Sequence, residues 1–155
     1  MTPVAPPTSA NPGARTLAYA ALTTGVWSGI LCLIVYALAL LLGVPMEAQT
    51  LTGVQTVPWF AVLLLPIAAA EVGALAALVT RGWRGAGRIV FWAGTLLAAA
   101  SLIPLFLQPE QVLLSTRIWL GVMHVITWVL VVPQIARIIG DSEPGMHEER
   151  EVIYG

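Results

Sequence analysis

The chain has 155 residues, of which 58% are hydrophobic and only 10% are charged. Soluble domains carry about 25% charged residues, so this composition excludes an ordinary water-soluble fold and indicates a protein dissolved mainly in lipid. The net charge of −1 gives no electrostatic basis for binding nucleic acid. Because Cys32 is the only cysteine, the chain cannot form an internal disulfide or a metal site of cysteines alone.

Four long apolar stretches follow one another, and each is long enough as a helix to cross a hydrocarbon core about 30 Å thick. Backbone groups in lipid find no water, so helices, which bond internally, are the spans that we expect. The sequence predicts an all-α fold, an integral membrane bundle of four transmembrane helices within residues 17–139. The predicted helices are residues 17–43, 58–80, 89–107 and 118–139.

Polar segments flank and connect these helices. Residues 1–16 are rich in proline, which prevents a packed core, and they are predicted to be a disordered cytoplasmic tail. Residues 44–57 are predicted to be a polar loop. Residues 140–155 carry several acidic side chains and are predicted to be a second cytoplasmic tail.

Arginines predict the orientation of the bundle. Arg81, Arg84 and Arg88 lie in the loop between helices 2 and 3, and helices 1 and 4 add one arginine each on the same side. Only Arg117 falls on the opposite side, so the positive-inside rule predicts that both termini are cytoplasmic. The three loop arginines are also expected to contact anionic lipid head groups.

Small residues predict where helices approach each other. Gly25 and Gly29 have the GxxxG spacing, which lets two backbones come close, and Ala70 and Ala74 form a similar stripe on helix 2. This face serves contacts within the bundle or contacts between subunits, and we favour packing within the bundle.

Two intramembrane residues are candidates for a proton or cation site. Glu71 lies about nine residues, or roughly 13–14 Å, from the cytoplasmic end of helix 2. A carboxylate at that depth costs at least about 2.5 kcal/mol, so we expect it to be protonated, or to face a partner or a wet cavity. Because Glu71 flanks the stripe of small residues on helix 2, we expect it to point toward the bundle interior rather than the lipid. His124 in helix 4 could form a proton relay with Glu71. The alternative is a structural role for both residues, in which Glu71 forms an interhelical hydrogen bond and His124 is a packing residue.

The sequence offers little for other chemistry. Zinc and di-iron sites need more ligands than Glu71 and His124 supply, and a haem held by two histidines needs a second one within the membrane. No phosphate-binding or dinucleotide-binding glycine pattern is present. We therefore expect no catalytic residues, no metal and no cofactor, and a protein that is not an enzyme.

The segment from Met123 to Pro133, followed by Arg137, resembles the last helix of small four-helix membrane proteins of actinobacteria, which have no assigned function. The short arginine loop after helix 2 is similar as well. The resemblance implies four spans in a bacterial plasma membrane and implies no activity. Small multidrug-resistance transporters are similar in size and in having one buried Glu, but theirs lies in the first helix.

Two functions remain open on this basis. The first is a non-enzymatic structural or accessory role, with the lipid bilayer and either another membrane protein or a second copy of the chain as partners. The second is a proton-coupled small transporter or channel that uses Glu71.

Overall fold

A computed structural model describes residues 13–140, so the predictions for the two chain ends, residues 1–12 and 141–155, lie outside the described residues. Within this range there are four helices long and apolar enough to cross a membrane. A two-stranded antiparallel sheet connects the first two helices. The elements are α1 (Ala14–Leu41), β1 (Glu47–Thr50), β2 (Gly53–Thr56), α2 (Trp59–Thr80), α3 (Ala86–Phe106) and α4 (Leu114–Gly140).

The four predicted helices are found, with shifted ends. The helix α1 begins at Ala14, inside the segment predicted to be a tail, and it ends at Leu41 rather than at residue 43. Gly43 explains the earlier end, because its φ of +74° is a left-handed conformation that stops a helix. The N–H groups of Gly43 and Val44 donate to the carbonyls of Leu40 and Ala39, which is the Schellman pattern. The helix α4 begins at Leu114, four residues before the predicted start at residue 118.

The predicted loop 44–57 contains a β-hairpin. Glu47 pairs with Thr56 and Thr50 pairs with Gly53, so residues 51 and 52 form the turn. Gly53 has a φ of +119°, which strongly favours glycine, and the Thr50 hydroxyl closes the turn by donating to the Gly53 carbonyl. This hairpin is the one departure from an all-α fold within residues 13–140.

The hairpin is fastened to the rest of the bundle at several points. The backbone N–H of Gln49 donates to Oε1 of Gln108, just after α3, at 2.7 Å. The Thr116 hydroxyl of α4 donates to the Pro45 carbonyl, and the Tyr36 hydroxyl of α1 donates to the Val57 carbonyl. These bonds tie the α1–α2 connection to α1, to α4 and to the α3–α4 connection, and we call this end of the bundle the hairpin end.

The helices pack unequally around the bundle. The helix α1 packs along α2 on one side and along α4 on the other, while α3 packs mainly on α4. The helices α2 and α3 make few contacts, although a loop of only five residues, 81–85, joins them. The end of the bundle with this loop is called the arginine-loop end. One buried core lies toward each end; the core at the arginine-loop end includes Ile135 and the core at the hairpin end includes Met123.

Large apolar side chains cover much of the outer surface of the bundle. Contiguous exposed apolar surface of this extent is abnormal for a soluble monomer and marks a surface that meets lipid or protein. Examples more than half exposed on the four helices are Ile34, Leu64, Leu75, Val79, Leu96, Phe106 and Val129.

Candidate functional site

The main cavity is a cleft between α2 and α3 with α4 at its back. Its volume is about 560 Å³, and most of its walls are small or aliphatic side chains. The cleft exists because α2 packs mainly on α1 and α3 packs mainly on α4, which leaves the space between α2 and α3 unfilled. Representative wall residues are Ala69, Gly73 and Ala76 from α2, Ala93, Gly94 and Leu97 from α3, and His124, Thr127 and Val131 from α4.

Two glycines of α3 allow this helix to pack closely on α4. A Cβ added to Gly87 would lie 2.8 Å from the Ala136 carbonyl oxygen, and one added to Gly94 would lie 2.9 Å from Cγ1 of Val132. Both distances are shorter than real Cβ contacts, so only glycine allows this approach. Gly87 and Gly94 therefore allow α3 to pack closely on α4.

A polar network ties α1 to α4 beside the cleft. The Ser28 hydroxyl donates to Thr127 Oγ1 at 3.1 Å, and the Thr127 hydroxyl donates to the Met123 carbonyl at 3.0 Å. The Cys32 thiol also donates to the Met123 carbonyl at 3.5 Å. Ser28 and Cys32 are almost completely buried, so this network is satisfied inside the protein rather than offered to a ligand.

His124 is half-buried and lines the cleft near this network. Its Nδ1 lies 2.9 Å from the Leu120 carbonyl oxygen. A carbonyl can only accept, so Nδ1 carries the proton and Nε2 of the neutral ring is an acceptor. No hydrogen bond to Nε2 is formed by any group in residues 13–140. His124 also borders a second cavity of about 170 Å³ between α3 and α4, where the indole N–H of Trp128 donates to Thr95.

Glu71 lies elsewhere on the bundle. It is half-buried on α2 and is not part of the cleft wall, which its neighbours Val72 and Gly73 help to form. Its carboxylate has no hydrogen bond or ion pair with any group that the structure describes. Glu71 and His124 are therefore not brought together, and the relay considered from the sequence has no direct contact in this fold.

The predicted packing residues lie at the contact between α1 and α2. A Cβ added to Gly25 would lie 2.8 Å from Cα of Ile67, and one added to Gly29 would lie 2.6 Å from the Leu63 carbonyl oxygen. Ala70 and Ala74 are buried on the face of α2 that carries this contact. The GxxxG segment thus contacts another helix of the same chain.

The three loop arginines lie together at the arginine-loop end. Arg81 directly follows α2, Arg84 lies in the loop, and Arg88 lies in the first turn of α3. All three side chains are exposed, so they are free to meet head groups or solvent.

Sequence reasoning missed the cleft itself. Its α2 wall is a second stripe of small residues with the same three-to-four spacing as the Ala70 stripe, and that spacing was the available signal. The stripe consists of Ala69, Gly73, Ala76 and Thr80.

These features define a bundle of four helices with the length and apolarity of membrane spans, and with one side left open. Residues 12–140 match a family model described as a family of unknown function, DUF6069, and the chain belongs to that family. No curated protein and no solved structure matches the chain.

Proposed function

We propose that the protein is a non-enzymatic accessory protein that spans a membrane four times and acts through contacts made inside the bilayer. The four long apolar helices and the exposed apolar surface support insertion. The arginines at one end of the bundle support a topology with both termini in the cytoplasm. The plasma membrane of an actinobacterium is the location implied by the resemblance of α4.

The carboxyl of Glu71, which has no hydrogen bond or ion pair within residues 13–140, is the observation that carries this proposal. It lies about nine residues before the end of α2, and hence far from either membrane surface. A charged carboxyl at that depth costs about 2.5 kcal/mol or more. A hydrogen-bond donor or a basic group on the helix of another membrane protein would remove that cost.

The surface around Glu71 has the form of a helix-docking face. Leu64, Ala68, Glu71 and Leu75 repeat at intervals of four, three and four residues, so they lie along one side of α2. Leu64 and Leu75 are 54% and 62% exposed, and Ala68 is exposed too. We call these four residues the Glu71 flank. An apolar stripe with one central polar group is a common way for transmembrane helices to associate.

Proton-coupled transport through Glu71 is less well supported by the geometry. A transport route needs the carboxyl to face a cavity, and the cleft wall does not include Glu71. The polar groups that do line the cleft are satisfied within the chain, apart from His124.

Photo-crosslinking in the native membrane tests the contact. A photoreactive residue in place of Leu75 should capture a partner, and the added mass distinguishes another protein from a second copy of this chain. Glu71→Leu should reduce the adduct about fivefold or more, because an interhelical polar contact contributes about 1 kcal/mol. Glu71→Gln should retain most of it, since the amide still forms hydrogen bonds.

The control is a photoreactive residue in place of Ile34, which is exposed on α1 and lies outside the Glu71 flank. An adduct at Leu75 that Glu71→Leu leaves unchanged would remove the contact as the basis of function. In parallel, we expect proton flux into liposomes that contain the purified protein to be the same with and without Glu71→Gln. A proton flux that Glu71→Gln abolishes would replace the accessory role with transport.

A further inference from the structure

We propose that the cleft between α2 and α3 binds a lipid-soluble molecule that has a long apolar body and one hydroxyl group, with the hydroxyl donating to Nε2 of His124. This site lies apart from the Glu71 flank. The inference uses the proposed location in a bilayer but does not depend on the helix contact at Glu71.

The size and the walls of the cleft fit such a ligand. A volume of about 560 Å³ lies within the range of roughly 300–1,000 Å³ that is typical of small-molecule sites. Its wall runs from Ala61 to Thr80 on α2, which is about 28 Å by helical rise, so the cleft is long as well as narrow. Most of that length is lined by carbon atoms, which suit a chain of methylene or isoprenoid groups.

One polar side-chain atom in the wall makes no hydrogen bond within the described residues and is available to bind a ligand. Ser101 donates to the Ala98 carbonyl, Thr127 is bonded to Ser28 and Met123, and the indole N–H of Trp128 donates to Thr95. The Nε2 atom of His124 is the one side-chain polar atom among these groups that makes no hydrogen bond within residues 13–140, whereas the hydroxyl groups of Ser101 and Thr127 each already donate one. Because Nε2 is an acceptor, it favours a ligand that donates a hydrogen bond, such as one with a hydroxyl group, over an ether or a ketone.

The route of access also points to a ligand from the bilayer. The loop 81–85 joins α2 and α3 at the arginine-loop end of the cleft, and the Gln49–Gln108 hydrogen bond bridges the hairpin end. The remaining side, between the outer faces of α2 and α3, is open and apolar. A molecule already dissolved among lipid chains can enter there without crossing water.

Photolabelling of the full chain in liposomes tests this site. The probes are a diazirine-bearing hexadecanol and its methyl ether, in which a methyl group replaces the hydroxyl hydrogen. We expect the alcohol to label peptides of α2, α3 and α4 that line the cleft, about fivefold more than the ether, because one hydrogen bond is worth about 1 kcal/mol.

Variants separate the two parts of the site. His124→Phe should make the two probes label equally, and His124→Asn, which keeps an acceptor, should restore part of the preference. Ala69→Leu narrows the cleft and should reduce labelling by both probes about tenfold or more. Ala37→Leu on α1, at an exposed alanine outside both the cleft and the Glu71 flank, should leave labelling unchanged and serves as the control for folding.

Three results would overturn the proposal. The first is equal labelling by alcohol and ether in the unaltered chain. The second is labelling spread over the outer surface and insensitive to Ala69→Leu. The third is protection of the cleft by a crosslinked partner helix or second copy, since a macromolecular occupant would leave no room for the lipid.

Discussion

The two faces of α2 differ although both are built from small residues. Toward α1, the helices close so tightly that a Cβ at Gly29 would meet the Leu63 carbonyl oxygen at 2.6 Å. Toward α3, Ala69 and Ala76 border an open cleft. Small residues therefore permit close packing but do not cause it.

The difference lies in what the opposing helix presents. The helix α1 offers Gly25 and Gly29 to α2, so backbone meets backbone and dispersion contacts accumulate. The glycines of α3, Gly87 and Gly94, pack against α4 instead of α2. The face of α3 that lines the cleft also carries small residues, such as Ala93 and Ala98, but α3 packs on α4 and this face makes few contacts with α2.

The largest expected effect is at Gly29, in the closed contact. Gly29→Ala places a methyl group against a backbone carbonyl that cannot move without parting the helices, so we expect a loss of about 3 kcal/mol in the free energy of unfolding. Titration with SDS in mixed micelles, followed by circular dichroism, measures it. The control is Gly121→Ala on α4, where an added Cβ meets nothing within 4 Å and the helix gains up to about 1 kcal/mol. Equal effects of the two changes would refute the tight contact.

A smaller effect is expected when one residue is enlarged on either face of α2. Ala70 is fully buried against α1, so Ala70→Leu should lower the free energy of unfolding by about 2 kcal/mol through overpacking. Ala69→Leu places the same side chain in the cleft and should change the free energy of unfolding by less than about 0.5 kcal/mol. The same SDS titration reports both values. A large loss for Ala69→Leu would mean that the cleft is closed in solution.

The smallest effect concerns two serines. Ser28→Ala removes the hydrogen bond from α1 to Thr127 of α4, and we expect a loss of about 0.6 kcal/mol, the average for such bonds between membrane helices. Ser101→Ala removes a bond within α3 beside the cleft and should be nearly neutral. The same titration compares them, and a cost for Ser101→Ala that exceeds that for Ser28→Ala would contradict the assignment of the network.

Hydropathy alone predicted the number and the approximate bounds of the helices, because runs such as residues 58–80 have no other stable solution in lipid. The hairpin was not predicted. Its strands are only four residues long and the Leu51–Thr52 turn lacks the Asn-Gly or Asp-Gly signal, so its stability depends on distant groups such as Gln108.

The candidate site could be predicted only in part. Depth along a helix is readable from sequence, and it singled out Glu71 and His124. The direction in which each side chain points depends on which helices become neighbours, and the close packing of Gly87 and Gly94 on α4 is part of that arrangement. Hence the sequence could not show that Glu71 lies away from the cleft while His124 lines it.

The bridging of the cleft at both ends has a consequence for how it would fill and empty. A ligand that exchanges only sideways equilibrates with its mole fraction among the lipids, not with its concentration in water. Washing the membrane would then leave occupancy unchanged, whereas fusion with ligand-free vesicles would lower it. The chain would report the composition of the surrounding bilayer, and its occupancy would follow lipid synthesis rather than events in the aqueous phase.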